Sequence, residues 1–150
     1  MNQFSSLGVK PDILSALDEL NITVPTPIQE QAIPILMKRH GDFIGLAQTG
    51  TGKTAAFSLP LLHHVDTSKK HLQALILSPT RELGQQIAQQ IALFSKYQSK
   101  VNTLAVYGGT SISNQIKALR KPVHVVIATP GRLIDLIKRG AIDIERVKYF

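Results

Sequence analysis

Ala47-Gln48-Thr49-Gly50-Thr51-Gly52-Lys53-Thr54 stands between a short apolar run, Phe43 to Ala47, and the start of a helical stretch. A glycine-bearing loop that follows a strand and opens a helix is where backbone N–H groups turn inward around phosphates. Gly50 and Gly52 supply the conformational freedom for such a turn. In this reading Lys53 reaches the outer phosphates as a point charge, and the Thr54 hydroxyl sits on Mg²⁺. The strict pattern G-x-x-x-x-G-K-[ST] opens on glycine where this chain has Ala47, but the G-x-G-K-T core is intact. The competing reading is a flexible Gly-Thr turn that merely contains a lysine.

Reading the loop as strand–loop–helix commits the chain to an α/β fold, and the flanking sequence agrees. Phe43 to Ala47, Gln73 to Ser78, Val101 to Tyr107 and Val123 to Ala128 are short runs rich in Ile, Val and Leu. Such runs predict strands of a parallel sheet covered by helices on both faces. A fifth strand is expected to begin near Arg146-Val147-Lys148-Tyr149-Phe150. Between them lie four helical stripes: Ile13, Leu14, Leu17 and Leu20; Leu83, Ile87, Ile91 and Phe94; Ile112, Ile116 and Leu119; Leu133, Leu136 and Ile137. Gly140 is a fitting stop for the last. Strand–helix alternation with no internal repeat, low-complexity stretch or linker predicts right-handed crossovers in one sheet.

Thr26-Pro27, Ser78-Pro79 and Thr129-Pro130 each set a hydroxyl residue before a proline, the pairing expected of a cap and a first helical position. Every predicted strand thus runs into a turn of special chemistry: the glycine loop, Ser78-Pro79, Gly108-Gly109 or Thr129-Pro130. In open parallel sheets that carboxyl edge is where ligands bind. Arg81 and Glu82 fall in a first helical turn, where the dipole favours Glu82 and disfavours Arg81. Arg132 sits in the same unfavourable place, and a docked anion would account for both arginines. Gly108-Gly109 reads equally well as a plain strand exit. Gln29, three positions after Thr26, suits a capping box; its amide suits adenine equally, since it both donates and accepts. His63-His64 cannot share a helix face and no histidine pair has i, i+4 spacing, so they read as structural.

The chain has 150 residues, 43 % of them hydrophobic, which suits one globular domain. No apolar run approaches the ~18 residues of a membrane span, and the first residues lack the pattern of a signal peptide. Without cysteine there is no disulfide and no thiolate metal site, and a cytoplasmic setting is expected. Charge is unevenly placed: residues 1–60 carry a net −1 and residues 61–150 a net +8. A polyanionic partner for the second part and basic residues on solvated helix faces both account for this.

Together these features resemble the first RecA-like lobe of DEAD-box RNA helicases, from Phe4 to the last residue. Val24-Pro25-Thr26-Pro27-Ile28-Gln29 resembles that family's adenine-reading Q motif, with Phe4 in the place of its isolated upstream aromatic. Ala47 fits, because the family's phosphate loop commonly begins with alanine. Pro79-Thr80-Arg81-Glu82-Leu83, Gly108-Gly109 and Thr129-Pro130-Gly131-Arg132 resemble its three RNA-backbone motifs, in order and at suitable spacing. Where the family shows Gly-Phe this chain has Asn21-Ile22, so Ile22 would offer adenine an apolar rather than an aromatic face.

The resemblance implies a RecA-like phosphate-loop NTPase fold holding ATP and Mg²⁺. Phe4, Ile22, Gln29 and Ala47 to Thr54 would meet the nucleotide, with Thr54 on the metal and Lys53 and Thr54 serving catalysis. Pro79 to Glu82, Gly108, Gly109 and Thr129 to Arg132 would grip single-stranded or duplex RNA by its backbone. It further implies a Q-motif region at 2–30, an ATP-binding core at 31–150, and a partial lobe whose Asp-Glu-Ala-Asp motif and second lobe lie outside residues 1–150. None of the four predicted strands ends in Asp or Glu, so the chain alone is expected to be inactive. An unrelated phosphate-loop NTPase would share Ala47 to Thr54 without reason to carry Pro79–Leu83 and Thr129–Leu133. A non-catalytic nucleotide- or RNA-binding module is the other alternative.

Overall fold

The computed structural model describes residues 2–38 and 41–150. The chain divides into two compact units, Met1–His64 with Gln90–Ser99, and Val65–Gln89 with Lys100–Phe150.

The first unit opens on a 3₁₀ turn, Gln3–Leu7, whose Phe4 N–H donates to the Asn2 side chain at 3.0 Å. Asn2 also donates to Asp18 at 2.8 Å and to the Ile22 carbonyl at 3.1 Å, fastening both ends of helix α1, Pro11–Glu19. The predicted stripe holds, since Ile13 and Leu17 are fully buried. Asn21 follows at φ 56°. Asparagine is the side-chain-bearing residue that best tolerates this left-handed conformation. Helix α2, Pro27–Met37, packs on helix α3, Lys53–His64.

No strand forms over Phe43–Ala47, contrary to expectation. An extended run becomes a strand only through a ladder, and this one has no partner among the described residues. Ile44 and Leu46 consequently stand 88 % and 90 % exposed, and the Phe43 ring folds back over Gly45, where a Cβ would lie 2.8 Å from Cε1.

The second unit holds a parallel sheet of β1 (Ala74–Leu77), β2 (Thr103–Val106) and β3 (Val125–Ala128) in the order β1-β3-β2. Central β3 reads Val-Val-Ile-Ala and is buried throughout, as a strand covered on both faces must be. Leu77 and Val106 both pair with Ala128, so the three strands end level. The expected fifth strand is present only as its beginning, a parallel bridge from Tyr149 to Ala74. Helix α4 spans Arg81–Phe94, giving residues to both units; α5 (Ile112–Leu119) and α6 (Pro130–Lys138) belong to the second. Leu72, Leu75, Val126, Leu133 and Leu136 form its core. Gly140, at φ 63°, ends α6 as predicted, with the Ala141 N–H donating to Leu136 O at 2.9 Å.

Two of the three predicted caps stand as read: Thr26 and Thr129 are N-caps with proline at the next position. Helix α4 differs. Thr80 caps it, its hydroxyl accepting from the Leu83 N–H at 3.2 Å, while the Ser78 hydroxyl donates to Thr80 O at 2.9 Å. Pro79 therefore lies in the turn before the helix. Among the described residues no helix is long and apolar enough to cross a membrane.

Candidate functional site

The glycine loop is held by the segment before it in sequence. Gln29 is 4 % exposed; its Oε1 accepts from the Thr26 N–H at 2.9 Å and its Nε2 donates to Gly52 O at 3.0 Å. Thr26 Oγ1 donates to Thr51 O at 2.8 Å. The cap of α2 and the loop are thus one hydrogen-bonded piece. Gly50 and Gly52 both adopt positive φ, 78° and 86°. Gly52 is required twice over, because a Cβ there would also collide with Gln29 Nε2. Thr51 Oγ1 closes the turn onto Gln48 O at 2.8 Å. Helix α3 begins at Lys53 with no acidic residue in its first turn, which leaves its positive end uncompensated. The Lys53 ammonium folds back to donate to Ala47 O. Thr49 is exposed and Thr54 half-buried beside them.

Ile22, half-buried, has its backbone fixed by a 2.9 Å bond from its N–H to Leu17 O. Phe4 requires a correction. Its ring is fully enclosed, so it presents no face on which a base could stack. It acts instead as the packing anchor of the segment that carries Asn2 and Ile22.

In the second unit the level strand ends bring three loops to one edge of the sheet. Arg81 lies with its guanidinium carbon 4.9 Å from the centre of the Tyr107 ring, a cation–π arrangement. The Tyr107 hydroxyl accepts from Gln85 Nε2 at 2.9 Å. Buried Gln115 joins the other two loops: Nε2 donates to Tyr107 O at 3.1 Å and to Thr110 Oγ1 at 2.9 Å, while Oε1 accepts from Arg132 at 2.7 Å. Arg132 also donates to Thr110 O at 3.1 Å. Both arginines therefore have structural partners at their helix starts, and each keeps N–H groups to spare. Glu82 is exposed in the first turn of α4.

The glycines here divide by cause. Gly109 has φ 79° and needs to be glycine. Gly108 and Gly131 have no positive φ, and a Cβ on either would meet nothing within 4 Å. Gly131 even lies inside α6, where glycine costs about 1 kcal/mol relative to alanine. Neither sterics nor backbone conformation accounts for these two. What they provide is open backbone beside Arg81 and Arg132.

Sequence reasoning missed Tyr107, Thr110, Gln115 and Gln85, the groups that set the arginines in place. Gln115 gave one signal, an amide between Ile112 and Ile116 on a helix whose stripe is otherwise apolar.

A family model described as DEAD/DEAH box helicase matches residues 26–150. The chain is 48 % identical over 144 residues to the ATP-dependent RNA helicase DeaD of Escherichia coli strain K12, a match that covers 96 % of this chain and 23 % of that protein. Among solved structures, a DEAD box protein from the hyperthermophile Methanococcus jannaschii matches with TM-score 0.90 and 38 % identity, over 96 % of this chain and 39 % of that one. Dbp5 of S. cerevisiae, bound to RNA and ADP BeF3, matches with TM-score 0.85 and 30 % identity, over 98 % of this chain and 37 % of its own. The parallel sheet with its helices is accordingly a RecA-like α/β fold. The chain spans about a quarter of the length of the curated relatives it matches.

Proposed function

The chain belongs to the DEAD/DEAH box helicase family, and from that premise we propose that it is the ATP- and RNA-binding lobe of an ATP-dependent RNA helicase. In the whole enzyme a second lobe would complete the site, and ATP hydrolysis would drive local opening of RNA duplexes.

Ala47 to Thr54 form the phosphate loop of this proposal. Gly52 leaves no room for a side chain beside Gln29, as a close backbone cradle demands. The positive end of α3 and the Lys53 ammonium supply the charge, and a bound nucleotide would draw Lys53 away from Ala47 O. Thr54, one residue into α3, is the ligand for Mg²⁺, whose role would be to neutralise phosphate charge. Gln29 spends half of its hydrogen-bonding capacity on Thr26 and Gly52. The remaining N–H and lone pair are what adenine would meet, with Ile22 as the apolar face.

The three loops at the sheet edge form the RNA grip. The observation that carries it is the pair of glycines, Gly108 and Gly131, that the fold itself does not need, set among two pre-positioned arginines. Open backbone and guanidinium forks suit phosphate oxygens, and no side chain there is shaped to read a base. Pro79, Thr80, Gly109, Thr129 and Pro130 shape the loops that present these groups. Removing the charge with Arg132→Ala should weaken binding of every RNA sequence alike and flatten the salt dependence by about one phosphate contact. A changed preference among sequences in that variant would refute the backbone-only grip.

A further inference from the structure

We propose that the amino-terminal edge of the sheet carries a second binding site, a pocket that takes one large apolar side chain from an acidic peptide segment. This does not rest on the nucleotide or RNA reading. Lys70, His71 and Leu72 lead into β1, Lys121 and Val123 lead into β3, and Asp143 and Arg146 follow α6; all line one cavity of about 160 Å³. Because the strands are parallel, this edge is opposite the one where the arginine loops emerge.

The floor is aliphatic. Leu72, Val126 and Ile142 are buried members of the core, and Leu119, Val123 and Ala141 pack against it while staying partly open to the cavity. A space of roughly 150 Å³ lined by aliphatic groups holds a benzene-sized body, so the cup matches one phenylalanine or leucine side chain. The rim is cationic. Lys70 and Lys121 are exposed, and neither forms an ion pair among the described residues. Arg146 has only a loose 3.8 Å contact to Asp143, the single acidic residue of the lining. His71 is held below its ordinary value, first by desolvation and then by the positive charges of Arg146, Lys69 and Lys148. Cations gathered round an apolar cup repel one another, and an acidic ligand relieves that repulsion. A peptide is favoured over nucleic acid because no Phe, Tyr or Trp lines the cavity for a base to stack on.

The test uses the full chain and a fluorescein-labelled peptide with one central phenylalanine flanked by glutamates. Anisotropy should rise to saturation. Replacing the peptide's phenylalanine by glycine should weaken binding roughly tenfold or more, the worth of one buried aromatic side chain. The surface variant Lys121→Glu/Arg146→Glu should weaken it at least as much, since it reverses the rim without touching the core. Absence of binding, equal affinity for the two peptides, or indifference to the charge reversal overturns the proposal. So does a labelled oligouridylate that binds more tightly and is lost in the same variant, which would assign the pocket to nucleic acid.

Discussion

Gly131 sets the fold's interest against the ligand's. Alanine at this position of α6 has open space around it and a better helix propensity. Gly131→Ala should therefore leave the melting temperature unchanged or raise it, by up to about 1 kcal/mol of stability, while lowering RNA affinity because a methyl group now stands where phosphate would approach. Thermal denaturation and RNA titration of the same preparation decide it, and unchanged RNA affinity would remove Gly131 from the grip. Gln29 makes the complementary case. A chain that selects adenine through this amide should bind ADP in preference to GDP by ~1–3 kcal/mol, roughly tenfold to a hundredfold. Gln29→Glu still accepts from Thr26 but has no N–H for Gly52, so both the preference and the stability should fall. Equal binding of ADP and GDP by the unaltered chain would leave Gln29 as a bridge between cap and loop and nothing more.

At the scale of elements, local signals in the sequence were legible and signals that depend on a neighbour were not. The helical stripes, the stop at Gly140 and the caps at Thr26 and Thr129 are decided by residues within a turn or two, and they stand where periodicity put them. Ser78-Pro79 had the same local pattern, but Thr80 captured the cap because the Ser78 hydroxyl donates to Thr80 O. Phe4 shows the same limit, since whether a ring packs or stays open depends on elements distant in sequence. Of the candidate site, the loops were legible as motifs, whereas the Gln115 and Tyr107 bonds that orient the arginines arise only when three loops meet. Phe43–Ala47 is the sharpest case: the composition is that of a strand, and the ladder partner is missing among the described residues. Its two exposed apolar side chains on an unpaired backbone are an association hazard. Light scattering should show the chain forming oligomers as concentration rises, and Ile44→Thr/Leu46→Lys should suppress them. A monodisperse parent chain would show that this segment is harmless as it stands.

At the scale of the whole molecule, the question is what the chain can do with a nucleotide once it holds one. Binding requires the loop, the start of α3 and Lys53, and all are in place. Phosphoryl transfer to water requires more, namely carboxylates that hold the metal and orient the attacking water where charge develops. The sheet's three strands run out into Ser78, Tyr107 and Thr129, none of which is acidic. Glu82 lies beyond a strand end, but on the exposed first turn of α4, where it favours the helix dipole. Among the described residues no three His, Asp or Glu side chains gather as a metal-binding group. The 150-residue chain should therefore bind ADP and ATP without turnover, and RNA should not stimulate phosphate release. Measuring released phosphate with and without RNA, beside the Lys53→Ala variant, makes the outcome plain. Release at background level in all samples is expected. Release that RNA increases and Lys53→Ala abolishes would mean that groups within these 150 residues already perform the hydrolysis, and the assignment of this chain as a binding lobe alone would have to be withdrawn.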